Sequence, residues 1–143
     1  MQSKDLTKEA PRSPYELING FTILARTIDK CRAVIAGTNG EYHFDCPLDK
    51  ALFGFKGIDA NEFKDFVASG SSDEEIGEWV FEHGTQKTVD EIKTWSKHFH
   101  SDFSYSTDPN KSTWFKGECE RLGLDPMKTT LFDYLEVDDK ASF

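Results

Sequence analysis

The sequence has no apolar run approaching the roughly 18 residues a membrane-spanning helix needs, so no transmembrane segment is expected. Cysteine is scarce: Cys31, Cys46 and Cys119 are an odd number, and no C-x-x-C pair occurs. That argues against a disulfide framework and favours reduced thiols in a cytoplasmic protein. Met1–Ala10 is charged and lacks an apolar core, so no secretory signal is expected. Basic residues are outnumbered, 17 Lys and Arg against 26 Asp and Glu, for a formal net charge of −9. An acidic surface repels nucleic-acid phosphates and anionic lipid headgroups, so neither is expected as a partner. No Walker A loop, dinucleotide fingerprint, nucleophile elbow or H-E-x-x-H is found, and no cofactor is expected.

What the chain does have is aromatic residues: three Trp, twelve Phe and four Tyr among 143 residues. Each buried aromatic withdraws on the order of 150–250 Å² from water, enough to support a folded core. Apolar spacing is helical throughout. Ser13 as N-cap, Pro14 at N1 and Glu16 at N3 predict a helix start. From there Leu17, Phe21, Leu24, Ile28, Cys31 and Ile35 recur three or four apart, up to Gly37. This predicts a long first helix of about six turns with Gly20 inside it, at roughly 1 kcal/mol relative to Ala. Ile18, Ile23, Ala25, Val34 and Ala36 widen its apolar surface, so the helix is expected at the centre of the domain.

A short irregular loop follows, Thr38–Asp45, with a turn at Asn39-Gly40. Cys46-Pro47 then opens a short helix carrying Leu52, Phe53 and Phe55. Three capping boxes come next: Asp59 with Glu62, Ser72 with Glu75, and Thr88 with Glu91. Each precedes apolar residues at helical spacing, among them Phe63, Val67, Ile76, Trp79, Ile92 and Trp95. After a polar loop at Ser101–Thr107, Asp108-Pro109 and Asp125-Pro126 read as two further helix starts. The expected fold is all-α: a single compact domain over 14–136, with five to six helices around the long first one. A flexible arm is expected at 1–13 and an acidic tail at 137–143.

Chemistry concentrates between residues 26 and 49. The first helix carries Arg26, Asp29, Lys30 and Arg32. At 100° per residue Arg32 falls between Phe21, Ala25, Ile28 and Ala36, on an otherwise apolar surface. A buried Arg left unpaired costs several kcal/mol, and its planar fork suits a carboxylate from the protein or from a ligand. Both alternatives stand. Cys46 is expected at a helix N-cap, where backbone amides favour a thiolate, with His43 three residues before to exchange a proton. Asp45 and Asp49 oppose a thiolate by charge, and a buried structural Cys is the alternative. His43, Asp45, Cys46 and Asp49 are also metal donors. No second Cys/His pair stands at zinc spacing, His83, His98 and His100 included, so no metal site is expected.

Several of these runs occur together: Pro11-Arg12-Ser13-Pro14-Tyr15, Leu24-Ala25-Arg26-x-x-Asp29-Lys30-x-Arg32-Ala33 and Gly37-x-x-Gly40-Glu41-Tyr42-His43. With Cys46-Pro47-Leu48-Asp49, Phe53, Phe55, Gly57-Ile58 and Ser72-Asp73-Glu74-Glu75 up to Trp79, the pattern resembles the bacterial family called domain of unknown function 5069. The resemblance runs over roughly residues 11–100. It implies a self-contained bacterial domain and brings no activity or catalytic residue with it.

Two readings of function follow. In the first, Arg26, Asp29, Lys30, Arg32, Tyr42 and Asp49 hold an anionic metabolite, and Cys46 and His43 are the catalytic candidates. In the second, the chain is a non-catalytic protein-interaction or homodimerisation domain, recognisable by a contiguous exposed apolar patch.

Overall fold

Local capping signals set where the helices begin. In the computed structural model, which describes residues 3–102 and 108–143, Asp59 accepts hydrogen bonds from the Asn61 and Glu62 amides. Ser72 and Thr88 close reciprocal boxes with Glu75 and Glu91. Seven helices result among the described residues: α1 Leu24–Ala36, α2 Pro47–Lys56, α3 Ala60–Ala68, α4 Asp73–Glu82, α5 Val89–His100, α6 Ser112–Leu122 and α7 Leu131–Ser142. The described part of the chain is all-α, and no helix is long and apolar enough to cross a membrane. Of the polar loop expected at Ser101–Thr107, residues 103–107 lie outside the described residues.

α1 is the hub, packing against α2, α3 and α4. Phe21, Ile23, Leu24 and Ile28 meet Leu52, Phe63, Ile76, Val80, Ile92 and Phe132 in one apolar core. A smaller core joins Phe115 and Cys119 of α6 to Leu131 and Tyr134 of α7. Leu48 touches both clusters and links the two parts.

The first helix is shorter than its apolar stripe predicts. Helical geometry begins at Leu24, and 13 residues remain. Upstream, Ile18 and Phe21 exchange backbone hydrogen bonds of 3.2 and 2.9 Å around a tight turn. The Ile23 amide donates to the Pro14 carbonyl at 3.0 Å, so the chain folds back on residue 14 instead of continuing the helix. Ile23 takes a left-handed φ of 65°, a strained geometry for a β-branched residue, held because its side chain is fully buried. Leu17 leaves the stripe and is 52% exposed.

The termini also depart from expectation. Leu6 is buried, and its amide donates to the Thr38 carbonyl at 2.8 Å, so this part of the predicted arm is packed on the domain. The predicted acidic tail is the last turns of α7, with Asp139 buried. Asp108 and Asp125 do not cap helices. Each accepts an amide two residues on, Asn110 at 2.8 Å and Met127 at 2.9 Å, in an Asx turn that delays the helix. Thr130 caps α7 in place of Asp125, accepting from the Asp133 amide.

Candidate functional site

The loop from Thr38 to Cys46 runs between the outer face of α1 and the C-terminal half of α7. There it leaves a cavity of about 910 Å³. Five of the eight residues singled out from sequence line it: Arg26, Lys30, Tyr42, His43 and Cys46. The rest of the wall mixes apolar Leu6, Leu48, Trp114, Leu135 and Phe143 with Thr7, Ser142 and the carboxylates Glu41 and Asp138. One polar side and one apolar side is the usual make-up of a small-ligand site, and the volume lies within the ~300–1,000 Å³ such sites span.

Lys30 organises the polar side. The residue is 3% exposed, and its ammonium lies 3.0 Å from Asp49 Oδ2 and donates to Cys46 Sγ at 3.1 Å. Asp49 is fully buried and also accepts the Thr27 hydroxyl at 2.6 Å and the Cys46 amide at 3.3 Å. Cys46 is the N-cap of α2 with Pro47 at N1, as its sequence predicts. The carboxylate thus fixes the Cys46 backbone while the ammonium fixes its sulfur. Asp49 works beneath the cavity rather than on its wall.

Arg26 forms the second anchor. Its Nη1 donates to Asp139 Oδ2 at 2.7 Å and its Nη2 to Oδ1 at 3.3 Å. The guanidinium sits 5.6 Å from the centre of the Tyr42 ring, within cation–π range. The Tyr42 hydroxyl donates to the same carboxylate at 2.8 Å. Burial and the Asp139 carboxylate push the Tyr42 phenol well above its usual range, so it stays a hydrogen-bond donor.

Asp29 and Arg32 lie elsewhere. Asp29 accepts the Arg12 amide at 2.8 Å and pairs with its guanidinium at 3.1 Å. Arg12 reaches on to Asp73 at 2.7 Å, and Arg32 pairs with the same carboxylate at 2.9 Å while donating to the Ser71 carbonyl at 3.1 Å. This four-residue network staples the start of α4 to α1. Arg32 therefore meets a protein carboxylate, and neither it nor Asp29 lines the cavity. Both leave the candidate site.

His43 is exposed on the cavity rim and makes no hydrogen bond to Cys46 among the described residues. The direct partner of the thiol is Lys30. Cys31 and Cys119 are buried, and burial raises the Cys31 thiol to about 12, so Cys46 is the one cysteine open to a ligand. Among the described residues no group of His, Cys, Asp and Glu is arranged to hold a metal ion.

Sequence reasoning missed Asp139, Trp114 and Leu135. A signal existed for Asp139: it stands four residues after Leu135 and eight after Leu131, on the buried stripe of α7. A carboxylate there calls for a buried cation, and Arg26 supplies it.

The family described as domain of unknown function (DUF5069) matches residues 8–141, almost the whole chain, and the chain belongs to that family. The match extends through α6 and α7, the helices that complete the cavity. No curated protein matches the chain.

Proposed function

We propose that this DUF5069 member binds a small molecule in the cavity between α1, the Thr38–Cys46 loop and α7, with Cys46 as its reactive group. The observation that carries the reading is the 3.1 Å contact between Lys30 Nζ and Cys46 Sγ in the wall of a cavity of about 910 Å³. An ammonium donating to a sulfur at a helix N-terminus is a setting in which cysteines act as nucleophiles.

The wall also constrains the ligand. Arg26 and Lys30 each already face a carboxylate, Asp139 and Asp49. A polyanion would have to displace one of them. A metabolite with a single carboxylate or similar acceptor, and an apolar body against Trp114, Leu48 and Leu135, matches both sides. His43 and Glu41 on the rim are placed to contact the solvent-facing end.

The test is thiol kinetics. Iodoacetamide should alkylate Cys46 faster than a free model thiol at neutral pH, with Cys46→Ser removing the fast label. Small aryl carboxylates at millimolar concentration should include some that slow it. Labelling of Cys46 no faster than the model thiol, with no protection by any of them, would sink the reading. The alternative, a protein-interaction or homodimerisation domain, draws on a different face, where Leu17, Phe81 and Val89 are exposed.

A further inference from the structure

That second face is a groove of about 640 Å³ between the turn at residues 17–20 and the helices α4 and α5. Its apolar surface comes from Leu17, Phe81 and Val89, which are 52%, 36% and 70% exposed. In a small protein, large apolar side chains left together in water call for an explanation.

The polar groups behind them are spent internally. Ser96 Oγ donates to the Gly20 carbonyl at 2.7 Å and accepts the Thr22 amide at 3.0 Å. The Thr22 hydroxyl lies 2.7 Å from the Pro14 carbonyl, which can only accept, so the hydroxyl proton is used there. His100 Nε2, 2.7 Å from the same hydroxyl oxygen, must then be the donor to it. Burial lowers the His100 pKa, which leaves the ring neutral at physiological pH. Of the polar side chains in the trough between the lysines and the apolar surface, this leaves the exposed Asn19 amide to meet a ligand.

The rim is different. Lys93 and Lys97 stand one turn apart on α5, both line the groove, and neither is in an ion pair among the described residues. No Asp or Glu lines it. On a chain of net charge −9 this is a local reversal of sign beside an apolar trough. We infer that the groove binds an amphiphile with an apolar chain and an anionic head, of the class of a medium- or long-chain carboxylate. The chain lies over Leu17, Phe81 and Val89, and the head meets Lys93 and Lys97. A second copy in a two-fold dimer through this groove would set the lysines of one protomer near those of the other, which charge disfavours.

The inference is independent of the Cys46 cavity and can fail separately. The test titrates the intact protein with octanoate, decanoate and decyltrimethylammonium below their micellar concentrations, read by calorimetry. Each buried methylene tightens binding by about fourfold, so decanoate, two methylenes longer, should bind about fifteenfold more tightly than octanoate. The cationic amphiphile should bind at least tenfold more weakly than decanoate. Leu17→Asp with Val89→Asp, both at exposed positions, should weaken decanoate at least tenfold. Lys93→Glu with Lys97→Glu should reverse the preference between heads. Equal binding of both heads, insensitivity to these four substitutions, absence of decanoate binding, or decanoate binding that instead protects Cys46 from alkylation would each overturn the inference. So would capture of an acidic peptide by the groove without any affinity for decanoate.

Discussion

Arg26 and Asp139 are 113 positions apart in the chain and 2.7 Å apart in the structure, both almost entirely buried. The pair fastens the C-terminal turns of α7 to the first turn of α1. Other ties run alongside it: the Tyr15 hydroxyl donates to Asp133 at 2.6 Å, and Ser13 bonds Glu136. Closing α7 onto α1 in this way is what turns the Thr38–Cys46 loop into one wall of a cavity.

Breaking that pair from one side should be costly. Asp139→Ala leaves the Arg26 guanidinium buried without its counter-charge, and about 3–5 kcal/mol of stability should be lost in urea unfolding. Arg26→Met added to Asp139→Ala should recover part of the loss, because no unpaired charge then remains inside. Deleting residues 137–143 should destabilise at least as much as the single substitution. A deletion with unchanged midpoint would show that α7 is not held this way.

Acid should loosen the α1–α4 junction. Burial pushes the Asp73 carboxyl up, but the hydrogen bonds and charges of Arg12 and Arg32 outweigh it and hold it below its ordinary 3.8. The folded state thus takes up the proton less readily than the unfolded state. This contribution is complete above the unfolded value and fades as pH falls through the lower folded one. Asp73→Asn should lose roughly 1–3 kcal/mol at pH 7, between the usual surface and buried ion-pair values, since its side chain is 35% exposed. The stability curves of wild type and variant should converge as the pH falls from the ordinary carboxylate value through the lowered folded one. A gap that stays constant down to acid unfolding would point to packing instead.

Glycine substitution separates backbone strain from lack of space. Gly37 and Gly84 both have left-handed φ, 75° and 71°. A Cβ on Gly37 would meet nothing within 4 Å, whereas on Gly84 it would run into the Lys56 carbonyl and lie 2.8 Å from the Gly57 carbonyl. Gly37→Ala should therefore cost only the conformational penalty, about 1–2 kcal/mol. Gly84→Ala should cost clearly more, because the Thr85 amide and the Lys56 carbonyl, now 2.6 Å apart, would be forced to separate. Thermal unfolding of the two variants gives the comparison directly, and equal losses would contradict it.

Helix identity was legible in the sequence where a local signal was strong, as at Ser72 with Glu75 or Thr88 with Glu91. Those caps act within four residues and owe nothing to the rest of the chain. The start of α1 was not legible, because Leu17 and Phe21 keep helical spacing while the backbone between them turns. What decides there is the Pro14 carbonyl capturing the Thr22 hydroxyl and the Ile23 amide, a contact with no apolar period. For the site, spacing on α1 identified the charges but not their partners. Lys30 and Cys46 are close because α2 folds back along α1. Arg32 and Asp73 are close because α4 does, and sequence offsets of 16 and 41 carry no sign of either.

The Lys30–Cys46 contact makes the sharpest kinetic prediction. Lys30→Met removes the ammonium beside the sulfur and leaves the Asp49 carboxylate uncompensated nearby, so both changes make the sulfur's surroundings less favourable to negative charge. Alkylation of Cys46 at neutral pH should slow by about tenfold, the order of one charge lost beside a reacting group. Asp49→Asn added to Lys30→Met removes the opposing carboxylate and should restore part of the rate. General unfolding would do the reverse, since it would expose every thiol. Cys31 and Cys119 are the internal monitors of that, being buried in the native protein. If Lys30→Met slows Cys46 while both monitors stay unlabelled, the ammonium acts on the sulfur directly. If Cys46 keeps its rate, the contact is one of packing alone, and Cys46 loses its claim to be the reactive group of the cavity.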